Sequence, residues 1–298
     1  MGLGGNPFGT TVDGDDAIAV IRCALDAGVN FIDTADVYTG GRSEELVGQA
    51  VAGRRGEVVV ATKAGAPMGE RPDERGLSRR WLMRAVEDSL RRLATDYIDL
   101  YQAHVPDDDT PLEETLRAMD DMVHQGKVRY LGCSNHAAWQ LTRAVGLSER
   151  LGLVGWVSVQ PYFNLLVSLS DPTLLDACRA LGIGVIPYRP LASGILTGKY
   201  RRGHEPEPGT RAGDLPFIRR EVTEARLTVV DRLQAWAEER GHTPAELAIA
   251  WLLAHPEVST VIVGARRPEQ VLANARAVTW KLTPEERDEV TQLARMTP

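Results

Sequence analysis

Cysteine is scarce in this chain and badly placed for pairing: Cys23, Cys133 and Cys178 are the only three in 298 residues. An odd number at such wide spacing rules out a disulfide framework, and the lack of any CxxC pair rules out a thiolate metal knot. All three read as small core residues. Histidine is equally thin, six in all with no HxH or HExxH pattern, so a strand-end metal centre has no ligand set and none is expected. No apolar run approaches the ~20 residues that a membrane span requires, and the N-terminus lacks the charged and apolar regions of a signal peptide. Basic blocks are missing as well. With a net charge of −7, neither a nucleic acid nor an anionic membrane is an expected partner, and the expected location is the cytoplasm.

What the chain does have is regular alternation. Short runs rich in Val, Ile and Tyr recur as "NFID", "EVVVATK", "YIDLYQAH", "KVRYLGCSN", "GWVSVQ", "IGVIPY" and "STVIVG", and "MGLGG" at the start makes eight. Most are continuously apolar, as strands covered on both faces are. Between them lie helical stripes such as Leu82, Val86, Leu90 and Leu93, or Leu112, Leu116, Met119 and Val123. Thr110, Thr243 and Thr283 are each followed by proline and, three positions on, by glutamate, which predicts three capping boxes. Eight strands alternating with helices predict a single-domain α/β (β/α)₈ TIM barrel over residues 1–298. The polar, proline-rich segment 201–219 follows the seventh strand and is a candidate active-site loop.

Barrels gather their chemistry where strands end. Strand two ends at Asp33, with Tyr38 in the loop beyond. The next ends are Lys63, His104, Ser134 with Asn135, Gln160, Tyr188 and Gly264. A tyrosine hydroxyl ordinarily titrates near ~10, too high for easy proton exchange at neutral pH. A lysine ammonium beside it is expected to lower that value, an aspartate behind the lysine to hold the ammonium, and the histidine to donate to the same substrate oxygen. Such a group protonates a carbonyl oxygen while hydride reaches the carbon. Two decoys fall away. "GLGGNPFG" has Pro7 where a dinucleotide fingerprint needs its last glycine, and Asp107, Asp108 and Asp109 after His104 read as a solvated loop before a helix cap.

In these residues the chain resembles the aldo-keto reductase superfamily, and in detail bacterial members related to potassium-channel β subunits and to deoxysugar reductases. The carriers are "GVNFIDTADVYTGGRSEELVG", "VVVATKAG", "TDYIDLYQAH", "QGKVRYLGCSN", "VSVQPYFN", "PYRPLASGILTGKY" and "VIVGARRPEQVLAN", in that order. The resemblance implies Tyr38 as general acid, Lys63 and Asp33 tuning it, and His104 orienting a small-molecule carbonyl substrate. It also implies NADPH/NADP⁺ lying extended across the barrel mouth. Ser134, Asn135 and Gln160 are then expected at the nicotinamide carboxamide and Tyr188 against its ring. The pyrophosphate falls to Arg189, Leu191, Ser193, Gly194 and Lys199, and the adenosine end to Gly264, Arg266, Gln270 and Asn274. Arg266 is the expected partner of the 2′-phosphate, with Arg211 a second candidate.

Three departures stand out. The family's N-terminal hairpin is not expected within this sequence, which starts in the first strand, Arg189 stands where relatives often carry serine, and Asn6 where they often carry an aromatic residue or threonine. Pocket walls are expected from the segments around Asn6, 68–75 and 201–219. Relatives include monomers and homo-oligomers, so either state is allowed. Reduction of a nucleotide-bound ketosugar and a cofactor-sensing regulatory subunit with little turnover stand as the alternative functions.

Overall fold

A computed structural model describes residues 1–295. Eight strands, β1 (Gly2–Gly4), β2 (Phe31–Asp33), β3 (Val59–Ala64), β4 (Ile98–Ala103), β5 (Val128–Ser134), β6 (Trp156–Gln160), β7 (Gly184–Val185) and β8 (Ile262–Gly264), run parallel, each followed by helix. Their order in the sheet, β7-β6-β5-β4-β3-β2-β1-β8, is sequential apart from the return of β8 to β1. Parallel bridges Val185 to Val258 and Tyr188 to Ile262 join the two remaining edges. The expected (β/α)₈ architecture is therefore present.

Helices cover the outer face and bury it in one large apolar cluster that runs from Leu3 to Val290. The inner face has its own small core of Ala61, Leu100, Ile186 and Ile262. Glycine at β1 makes room for it: a Cβ on Gly4 would lie 2.8 Å from Ile262 Cγ2. Because side chains alternate along a strand, the residues one layer above this plug on the inner face are those at the strand ends. Asp33 pairs with Ala61, so Lys63, two residues on, points inward one layer higher, opposite Gln102.

Local detail departs from the sequence reading in three places. Thr243 and Thr283 form their capping boxes, but Thr110 does not: its helix is Leu112–His124, with Pro111 as the cap and no side-chain cap bond. The carboxylate of Asp107 organises that loop instead, accepting from the backbone N–H groups of Leu77 (2.6 Å) and Asp109 (3.0 Å), so the acid run is more than a solvated tail. The strand read as "IGVIPY" narrows to two residues, since Pro187 has no N–H for the ladder. Segment 201–219 is not wholly irregular. It forms two single turns, Arg211–Asp214, capped by Thr210, and Pro216–Arg219. Cys133 and Cys178 are buried as expected, and Cys23 is partly so. No helix among the described residues is long and apolar enough to cross a membrane.

Candidate active site

The strand ends of β2, β3, β4 and β6 place four polar side chains in one buried layer. The Lys63 ammonium, fully buried, donates to both oxygens of Asp33 (2.8 and 2.7 Å) and to the carbonyl of Thr34 (2.7 Å). Asp33 also accepts from the Gln160 amide at 2.8 Å and the Gln102 amide at 3.4 Å. Gln102 was missed in the sequence. Its signal was its parity, two residues before His104 on an inward-facing strand.

Tyr38 begins the short turn Tyr38–Gly41 beyond β2. The Lys63 ammonium lies 5.2 Å from the centroid of its ring, and the His104 ring meets it edge-on with centroids 5.9 Å apart. Tyr38, His104 and Asp33 all line a cavity of about 310 Å³ at the barrel mouth, and Asn6 and Arg211 contribute to the same wall. Residues 68–75, expected to contribute, do not line it.

The electrostatics correct one expectation. Lysine does not bring the Tyr38 phenol below its ordinary value. Burial raises it, and the lowering effect of Lys63, itself countered by Asp33, falls short of reversing that. For Lys63, burial favours the neutral amine, but Asp33 and then Tyr38 more than offset it, so its pKa lies above the ordinary value. Burial, then Lys63, drives His104 down to about 3. At neutral pH the mouth therefore holds a protonated phenol, a neutral imidazole and an ammonium–carboxylate pair.

Around this centre Asn135, at a φ of +62°, is already engaged. Its amide donates to the His104 carbonyl and to Ser134 Oγ, both at 3.1 Å, and its oxygen accepts from the Tyr188 hydroxyl at 2.9 Å. Tyr188 is thus held upright, with Tyr162 stacked on it at 5.3 Å and 12°. Arg189, Arg211 and Gly264 also line a second cavity of about 300 Å³, which makes the two one groove. Its walls bring together Leu191, Ser193, Gly194, Lys199, Arg266, Gln270 and Asn274.

The groove fits a dinucleotide on its own features. Ser193 Oγ is buried there without a partner, and Gly194, at a φ of +96°, leaves room that a Cβ would take from the Lys199 ammonium at 3.0 Å. Lys199, Arg211 and Arg266 supply positive charge along one arm, while amides and an aromatic ring occupy the other. Arg266 donates to the carbonyl of Gly209 at 3.0 Å and Gln270 accepts from the Arg266 N–H at 2.7 Å. The first of these bonds ties segment 201–219 to the loop after β8.

The aldo/keto reductase family model matches residues 1–295. The chain belongs to the aldo/keto reductase family. It is 39% identical to a probable voltage-gated potassium channel subunit beta of Arabidopsis thaliana, over 98% of this chain and 91% of that one. Identity is 33% with the versiconal hemiacetal acetate reductase of Aspergillus parasiticus, over 96% and 89% of the two chains. With the L-glyceraldehyde 3-phosphate reductase of Escherichia coli K12 it is 34%, over 87% and 78%. Family and reductase relatives together mark this protein as an oxidoreductase.

Proposed function

We propose that the protein is a cytoplasmic, NADPH-dependent reductase of aldehydes or ketones, with Tyr38 as the general acid. The observation that supports it is the convergence of a protonated Tyr38, a neutral His104 and Asp33, itself paired with the buried Lys63, on one cavity. NADPH supplies the hydride when bound, and the rest of the task falls to side chains. His104, neutral, donates to the carbonyl oxygen and fixes its position. Tyr38 donates its proton to that oxygen as negative charge develops there. Lys63 offsets the phenolate that results, a stabilisation made at a preorganised dipole rather than by solvent. Asp33 holds the ammonium in place, and Gln102 and Gln160 hold Asp33. Ser193, Lys199 and Arg211 are assigned to the pyrophosphate, Arg266 to the 2′-phosphate, Tyr188 to the nicotinamide face and the Gln160 oxygen to its carboxamide.

The channel-subunit name of the Arabidopsis relative favours a second reading, a cofactor-binding subunit with little turnover. One experiment separates them. Purified protein is mixed with NADPH and a simple aromatic aldehyde, and the loss of reduced-nicotinamide absorbance is followed. Steady consumption with stoichiometric alcohol supports the reductase. Tight NADPH binding without consumption supports the subunit.

A further inference from the structure

The turn that carries Tyr38 is strained. Thr39, Gly40 and Gly41 follow one another at φ values of +52°, +61° and +96°, all in the left-handed region. Glycine adopts that conformation freely, but a β-branched residue there is an outlier. Thr39 is exposed, so its side chain fills no core. A third glycine would relieve the backbone. What threonine adds is a hydroxyl, which donates to the carbonyl of Phe8 at 3.0 Å. Among the described residues it is the one side-chain hydrogen bond that the turn Tyr38–Gly41 makes.

Phe8 is a firm anchor. Its side chain is fully buried, and the loop after β1 that holds it is closed by its own backbone. The Phe8 N–H donates to the Gly5 carbonyl at 2.9 Å and the Gly9 N–H to the Val12 carbonyl at 2.8 Å. Gly9, at a φ of +85°, lets this loop press against the turn: a Cβ on it would lie 3.0 Å from both Cβ and Cγ2 of Thr39. The same loop reaches the seat of Lys63. The Gly5 N–H donates to the Asp33 carbonyl at 2.7 Å, and the Gly5 carbonyl accepts from Ser43 Oγ at 2.9 Å. Since Ser43 spends its proton there, it accepts from Thr34 Oγ1 at 2.8 Å, and the Thr34 carbonyl is the one that accepts from the Lys63 ammonium. Loop 5–12 is therefore bonded both to the residues that seat Lys63 and to the turn that carries Tyr38.

We propose that Thr39 is a positioning residue for the proton transfer: its hydroxyl, anchored on the Phe8 carbonyl, holds the strained turn that aims Tyr38 into the cavity. This rests on the reading of Tyr38 as the acid and adds what places it. Lys63 and Asp33 are fixed by the strands they stand on, whereas Tyr38 lies beyond the end of β2, where a shift of the turn moves the phenol relative to them. Proton transfer is sensitive to such shifts, since misplacement by about 1 Å can cost on the order of 10²-fold in rate.

The test compares Thr39→Val, which keeps the branched shape and loses the hydroxyl, with Thr39→Ser, which keeps the hydroxyl, on NADPH and an aromatic aldehyde. Thr39→Val should lower kcat by about tenfold while the aldehyde KM and the NADPH dissociation constant stay within about twofold, and Thr39→Ser should keep most of kcat. The decisive readout is a cycle with Tyr38→Phe. A residue that acts through the phenol has nothing left to place once the hydroxyl of Tyr38 is gone, so Thr39→Val should take nothing further from the residual turnover of Tyr38→Phe. A full second loss in that background overturns the proposal and leaves Tyr38 as the acid. So does natural kcat in Thr39→Val, or an equal loss in Thr39→Ser, which would show that the hydroxyl is not what matters. Should Thr39→Val melt early, Thr39→Gly carries the same comparison: it relieves the strain and removes the anchor, and natural kcat in it overturns the proposal. Natural turnover in Tyr38→Phe removes the acid itself, and the proposal with it.

Discussion

Both carboxylate oxygens of Asp33 are held by the single ammonium of Lys63, at 2.8 and 2.7 Å, and both side chains are buried. A pair so enclosed is strongly interdependent: removing one partner strands the other charge, whereas removing both leaves only a packing defect. Lys63→Met should lose ~3–5 kcal/mol of stability in urea unfolding. The double variant Asp33→Asn with Lys63→Met should recover most of that loss while staying inactive. Equal destabilisation by the single and double variants would show that the two charges are not coupled.

Asp36 lies in the loop that carries Tyr38 and has no part in the proposed chemistry. It is buried, one of its oxygens has no partner, and burial together with Glu44 pushes it up to about 8. In the unfolded chain it titrates near its ordinary 3.8. Between these values the folded state holds the extra proton, so stability from this group is present at low pH and declines as pH rises toward 8. Asp36→Asn should therefore unfold at a higher temperature than the natural protein at pH 8, with the gap closing toward pH 4 in scanning calorimetry. A gap that stays constant across that window would refute the assignment.

His104 and Tyr38 set the expected pH dependence of turnover. With His104 down at about 3 and Tyr38 above its ordinary 10.0, neither changes charge across the neutral range. Carbonyl reduction, as kcat/KM, should be level from about pH 5 to about pH 9 and fall only in stronger alkali, where the phenol loses its proton. A break near the ordinary histidine value would mean that His104 titrates during catalysis.

Arg266 is fixed by Gly209 at 3.0 Å and stands 3.8 Å from Asp214, at the far end of the groove from Tyr38. If it meets the 2′-phosphate, Arg266→Ala should weaken NADPH by about tenfold or more and NADH little, as loss of a charge-assisted contact does. Fluorescence titration with both cofactors measures it. Parallel losses for the two would remove the 2′-phosphate contact.

The residues that announced the site in sequence are those whose chemistry is out of place at a strand end. Asp33, Lys63 and His104 interrupt apolar runs, and barrel geometry leaves such side chains only the mouth to face. Tyr38 needed the family resemblance, because a loop tyrosine alone signals nothing. Gln102 was hidden inside a strand, and its role rests on a contact with Asp33, 69 positions away, that no local pattern carries. The elevated Tyr38 phenol was equally out of reach, since it turns on burial outweighing a neighbouring charge, a balance set by packing. The two turns within 201–219 depend on anchors supplied from elsewhere: Tyr200, whose hydroxyl accepts from Ala212 at 3.1 Å, and Arg266. Thr110 failed as a cap because Asp107 had already shaped the loop before it.

The central claim is that the hydroxyl of Tyr38 supplies the proton, and Tyr38→Phe, which removes that oxygen and keeps the ring, tests it most directly. Turnover of an aromatic aldehyde should fall by ~10²–10⁴-fold, while the NADPH dissociation constant, read by fluorescence titration, stays close to that of the natural protein. A Tyr38→Phe protein that binds NADPH normally and keeps most of its turnover would contradict the account.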